Sequence, residues 1–139
     1  MVLLLIIFSC TKKGPADDIS RVFHGLSNSN SSGEILKHYS SGTVSAIGKA
    51  VNLRIITGNR KLSILPQFNN NTRWRILEKA IDGDRAELWL KYIEHPVENM
   101  IGFEMKFKMV REDGMWKIDM EDEIQRSIGK YKNGMKIRY

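Results

Sequence analysis

The side chains in this sequence best suited to chemistry are three histidines, His24, His38 and His95, one cysteine, Cys10, and an aspartate, Asp119, set between apolar residues. A histidine works near neutral pH as a general acid or base, and grouped with carboxylates or thiolates it holds a metal. The spacing here gives neither. No HExxH run occurs, the histidines are scattered, and a single cysteine excludes both an internal disulfide and a CxxC metal site. No metal and no cofactor are therefore expected. His24 falls off the apolar stripe of its segment, while His38 precedes Tyr39, and either of that pair reaches a cavity mouth. His95 opens the run His95-Pro96-Val97-Glu98-Asn99-Met100, the most distinctive loop in the chain. It reads as a hairpin connector stiffened by proline, with a binding loop built on His95, Glu98 and Asn99 as the alternative.

Cys10 carries a different chemistry. It follows the apolar run Val2 to Phe8, which is too short for a bilayer-spanning helix of ~20 residues but has the ~7 to 15 residue length of a signal-peptide hydrophobic region. The junction Ile7-Phe8-Ser9-Cys10 resembles a bacterial lipobox, with Phe8 bulkier than the usual residue there. Residues 1–9 are accordingly expected to be a signal peptide lacking its leading positive segment, so truncated at its N-terminus. Cys10 would carry the acyl chains and residues 10–15 would form a tether. Two or more chains give stable membrane anchoring where one does not, which implies the bacterial cell envelope. The competing reading is a buried first strand that ends in an inert cysteine.

The remaining residues must supply the scaffold. At 139 residues, 42% hydrophobic and 27% charged, the chain has the size and composition of one globular domain. Ile19, Val22, Phe23 and Leu26 recur on one helical face, predicting a helix over 15–26. Ser31 and Glu34 have capping-box spacing and start a second helix carrying Ile35, Leu36 and Tyr39. Val44, Ile47, Val51 and Ile55 mark a third, closed at Gly58. Lys61 to Leu65 is ambiguous between helical turn and strand. After Asn69-Asn70-Asn71 the period becomes two, and strands are expected over 74–81, 85–93, 100–111 and 116–120. Asp82-Gly83-Asp84 and Glu112-Asp113-Gly114 supply tight turns. One sheet face then holds Ala86, Leu88, Leu90, Tyr92, Ile101, Phe103, Met105, Phe107, Met109, Trp116, Ile118 and Met120, and Glu104, Lys106 and Lys108 lie opposite. Helices followed by an antiparallel meander predict an α+β domain with N-terminal helices packed on a curved sheet.

Leading helices, the hairpin at Ile81-Asp82-Gly83-Asp84-Arg85-Ala86-Glu87-Leu88-Trp89-Leu90, and the closing run Glu112-Asp113-Gly114-Met115-Trp116-Lys117-Ile118 resemble the NTF2-like (cystatin-like cone) superfamily, especially small bacterial lipoproteins. The resemblance covers roughly residues 16–123, leaving 124–139 as a basic tail. It implies a cavity between helices and concave sheet, and some relatives are isomerases or hydrolases that use an inward Asp, His or Tyr. No acid or imidazole falls on the inward face derived above, where Tyr92 is the only hydroxyl. Asp119, between Ile118 and Met120, is expected to face solvent. A binding protein is therefore expected, not an enzyme.

A Met and Phe stripe of period two reads first as core, which a small domain needs in full; read as a site, it is an apolar pocket lined by Tyr39, Leu88, Leu90, Tyr92, Phe103, Met105, Phe107, Trp116 and Ile118, taking a small hydrophobic ligand. Two alternatives stand beside it: a filled core whose surface docks an envelope protein, and an NTF2-like isomerase or hydrolase. Homodimerisation through the open sheet face is implied by the resemblance alone. The net charge of +6 supports weak attraction to anionic surfaces, and the five cations in 126–139 read as a solvated, partly frayed helix or strand end, with contact to an anionic partner as the alternative. Nucleic acid is not expected, because an exported protein rarely meets it and no dense basic run is interleaved with aromatics.

Overall fold

The computed structural model describes residues 15–134, so Cys10, the expected signal peptide and residues 135–139 lie outside the described residues. Helix α1, Pro15–Ser27, buries the stripe Ile19, Val22, Phe23 and Leu26, each at most 6% exposed. Helix α2, Ser32–Leu36, is a single turn opened by the expected cap. Ser31 Oγ accepts the Glu34 N–H at 3.2 Å, and Glu34 Oε2 accepts the Asn30 N–H at 2.8 Å.

After α2 the backbone turns extended and joins the sheet. Ser40 N–H donates to Ile118 O and Ile118 N–H to His38 O, both at 2.8 Å, so Tyr39 forms a one-residue parallel bridge. Ser40 then caps helix α3, Ser41–Asn52, by accepting the Thr43 N–H at 3.1 Å. Its buried stripe is Thr43, Ala46, Ile47 and Ala50, with Val44 38% exposed, so the inward face is rotated from the one expected. The helix also stops before Gly58. Arg54 takes the left-handed conformation with φ 57°, its N–H donates to Val51 O, and Ile55 N–H donates to Ala50 O. Those two bonds are the Schellman closure, here made without glycine. The connector that follows is neither strand nor helix over 61–65, but it drives Leu65 and Phe68 into the core.

The sheet is an open antiparallel meander: β1 Arg73–Asp82, β2 Arg85–Glu94, β3 Glu104–Glu112 and β4 Met115–Asp119. Both expected hairpin turns form, with positive φ at Gly83 and at Asp113 and Gly114, as twisted strands require. The fold is α+β as the sequence predicts. The inward set Ala86, Leu88, Leu90, Tyr92, Phe107, Met109, Trp116 and Ile118 is buried.

Strand β3 departs from expectation at its start. The strand begins at Glu104 rather than at Met100, residues 98–100 form a 3-10 turn, and Gly102 N–H donates to Tyr92 O at 2.8 Å while Tyr92 N–H donates to Phe103 O at 3.1 Å. Two residues thus oppose one, a bulge whose first residue, Gly102 at φ +82°, needs the left-handed region. Ile101 and Phe103, both outside the strand, are 51% and 50% exposed.

The other correction is at the C-terminus. Helix α4, Glu121–Lys132, buries Ile124 and Ile128 and packs on α3, so the core continues past residue 123. Acids in its first turn and Lys130 and Lys132 in its last complement the helix dipole. Met120 is the N-cap of α4 rather than a strand residue.

Candidate functional site

Seven of the nine expected pocket residues, Tyr39, Leu88, Leu90, Tyr92, Phe107, Trp116 and Ile118, are buried in one cluster, Met105 is half-buried, and Phe103 lies outside it. The space they would enclose is occupied by side chains from the helices and connector. Phe23 stands with ring centroids 5.3 Å from Phe68 and from Phe107 and 5.4 Å from Trp74. Tyr92 donates its hydroxyl to Gln67 O at 2.9 Å, and burial pushes its pKa up to about 12. Burial, with a smaller contribution from Tyr92, raises Tyr39 further still. Both phenols stay protonated near neutrality, and among the described residues no fully buried carboxylate or imidazole joins them.

The loop residues are also accounted for structurally. His95 Nδ1 accepts the Val97 N–H at 3.0 Å, and its ring meets Tyr92 edge-on at 4.9 Å. That pins the turn to the core. Glu98 begins the 3-10 turn and Asn99 is exposed within it. His24 lies on the surface of α1 against Trp74, 4.9 Å between centroids. Among the described residues, no three His, Cys, Asp or Glu side chains group as a metal would need, and no helix is long and apolar enough to cross a membrane.

Asp119 is half-buried rather than solvent-facing. It accepts from Ser40 Oγ at 2.8 Å, from Thr43 Oγ1 at 3.5 Å and from the Glu121 N–H at 3.4 Å, which joins the starts of α3 and α4 to the end of β4. It borders a cleft of about 430 Å³ that also presents Asp82, Glu87, Asp122, Arg85 and Lys108.

A second cleft, about 550 Å³, has a different character. It lies where α1, the segment at 37–38 and the β3–β4 hairpin converge, and three cations, Arg21, Lys37 and Lys117, meet one carboxylate, Asp18. The parallel bridge covers β4 only at Tyr39, so the hairpin end of that strand is open and the cleft forms there. Its apolar surface comes from Val22, Trp116 and Met115, the last 58% exposed.

Lys117 Nζ donates to the Lys37 carbonyl oxygen, which fixes the ammonium beside the cleft. Asp18 pairs with Arg21 at 3.4 Å, whereas neither Lys37 nor Lys117 has a carboxylate within ion-pair distance among the described residues. His38 is half-buried between them. Burial, then Lys117, then Lys37 lower its pKa below the ordinary 6.5, so the ring is neutral at pH 7. Its Cε1–Nε2 edge faces α1 so closely that a methyl group on Gly25 would lie 2.4 and 2.8 Å from those atoms. The ring is thus wedged against the helix, and its place is set by packing.

Of the cleft residues, the sequence singled out His38 and Trp116 but not Arg21, Lys37 or Lys117. Each of those is an ordinary surface cation in its own segment, and no local spacing links positions so far apart. No family model matches the sequence, and no curated protein matches it.

Proposed function

We propose that the chain is a bacterial envelope lipoprotein, anchored through acyl chains on Cys10, whose α+β domain binds a small amphiphilic molecule without turning it over. The reading keeps the NTF2-like resemblance, supported by leading helices and a four-strand meander, but moves the binding site from the interior to the surface cleft. The observation that carries it is the occupied interior: Phe23 fills the space expected for a ligand, while the cleft at His38 and Lys117 combines apolar surface with polar groups at about 550 Å³, a usual size for ligand sites. The non-catalytic part rests on the cleft's groups. Its one carboxylate is paired with Arg21 and its imidazole is packed edge-on to Gly25, so no acid-base pair faces the opening.

Two measurements test this. Cells fed an alkyne fatty acid should label the native chain and leave Cys10→Ser unlabelled; equal labelling or none overturns the anchor. Native mass spectrometry of gently purified protein should show a bound species that is lost on denaturation and reduced in Met115→Asp. A species retained fully in that variant would locate binding elsewhere.

A further inference from the structure

The cleft's two halves define what it recognises. Val22, Met115 and Trp116 provide an apolar surface, while Arg21, Lys37 and Lys117 place positive charge along its border. Two of those cations have no carboxylate partner among the described residues. Lys117 spends one hydrogen on the Lys37 carbonyl, leaving the others for an incoming acceptor. The Trp116 indole N–H, in a residue 4% exposed, has no acceptor among the described residues, and a buried unmatched donor is costly.

We propose that this cleft binds the oxyanion head of an amphiphile, a phosphate or carboxylate on an alkyl chain, with Lys37 and Lys117 holding the head and Met115, Val22 and Trp116 the first part of the chain. The inference rests on the reading of the domain as a binding module and adds the chemical class of its ligand. The reach of the N-terminus supports it. Asp18 and Arg21 stand in the first turns of α1, and the five steps from Cys10 to Pro15 extend at most about 17 Å. An acylated Cys10 therefore holds the cleft close to the membrane surface, where such head groups are concentrated. Ammonium groups suit this task because they act as point charges that accept either oxyanion.

The test uses the full chain carrying Cys10→Ser, so that no acyl chain of its own competes, with the Trp116 indole and His38 ring signals followed by NMR. Octyl phosphate, octanoate, octyl glucoside and inorganic phosphate are the probes. Octyl phosphate and octanoate should shift both signals saturably and bind at least tenfold tighter than octyl glucoside. Lys37→Gln/Lys117→Gln should remove that preference while the spectrum stays folded. Lys37→Arg/Lys117→Arg should retain it. Inorganic phosphate should bind at least tenfold more weakly than octyl phosphate; equal affinity would make this a small-anion site and overturn the amphiphile. Equal binding of the charged and neutral octyl probes, or no response at either signal, would overturn the oxyanion. If Cys10 proves unacylated yet the tenfold preference stands, the anchor fails and the ligand class survives; the reverse pair of results removes the ligand class alone.

Discussion

The two clefts differ less in size than in how their charges are satisfied. In the acidic cleft most charges are matched: Glu87 pairs with Lys106 at 2.8 Å, Lys108 with Asp122 and Glu123 at 3.8 Å, and Asp119 accepts from Ser40, Thr43 and Glu121, while Asp82 and Arg85 have no ion pair among the described residues. In the basic cleft Asp18 and Arg21 pair, but Lys37 and Lys117 have no carboxylate partner among the described residues, and their combined field helps to keep His38 neutral. A charge matched within the fold contributes to holding elements together. Like charges gathered without a partner cost repulsion that an oppositely charged ligand relieves, which is why the second cleft is the better binding candidate.

Changes to the shared core should destroy both regions together. Phe23→Ala removes the ring under both the helices and the sheet and should cost about 3–5 kcal/mol, read as a lowered denaturant midpoint. A loss below about 1 kcal/mol would show that the interior is not packed as described. At the acidic end, Thr43→Val removes the hydroxyl that accepts the Met120 N–H at 2.8 Å and should cost about 1–3 kcal/mol. Its binding of octyl phosphate should be unchanged, and a parallel loss would mean that the two clefts are coupled.

At the basic end the effect should be on binding and protonation instead. Lys37→Gln/Lys117→Gln should alter stability by no more than about 1.5 kcal/mol, the net worth of the one hydrogen bond that Lys117 gives to the Lys37 carbonyl. It should raise the His38 pKa toward 6.5 by removing the two neighbouring charges, measured by NMR titration; an unmoved midpoint would contradict the field described.

The same group links stability to pH. The folded-state pKa of His38 lies below its ordinary value, so the unfolded chain takes up the proton first. The contribution is complete above about pH 6.5 and is lost as pH falls through the folded value. Thermal melts near pH 7.5 and 5.5 should therefore show a larger acid-induced loss for the native chain than for His38→Gln. The smallest effect is predicted for Phe103→Ser, within about 0.5 kcal/mol, because half of that residue's surface is already in solvent. A large loss there would restore Phe103 to the core.

The scaffold was readable because its signals are local. Ile19, Val22, Phe23 and Leu26 mark α1 by spacing, alternation fixes the inward face of β2, and Asp113-Gly114 names its own turn. Misreadings fall where a local rule met a competitor. Gly58 was the expected stop for α3, but Arg54 closes the Schellman bonds four residues earlier. Alternation carries Phe103 inward, but β3 begins only at Glu104 and its ladder gives way to the bulge at Gly102, leaving Phe103 half exposed at the end of the sheet. Residues 124–132 looked like a basic tail because their cations drew attention from the four-residue spacing of Ile124 and Ile128.

Composition and periodicity alone determined an α+β domain with its helices first, one apolar sheet face and tight hairpins, since each follows from contacts within a few residues. Tertiary structure decided whether that apolar face encloses a cavity or a core, because the answer depends on Phe23 and Phe68 arriving from elsewhere in the chain. It also decided where charge collects. Arg21, Lys37 and Lys117 become neighbours only when α1 lies on the sheet and residues 38–40 pair with the edge of β4, and electrostatics depends on distance in space rather than along the chain.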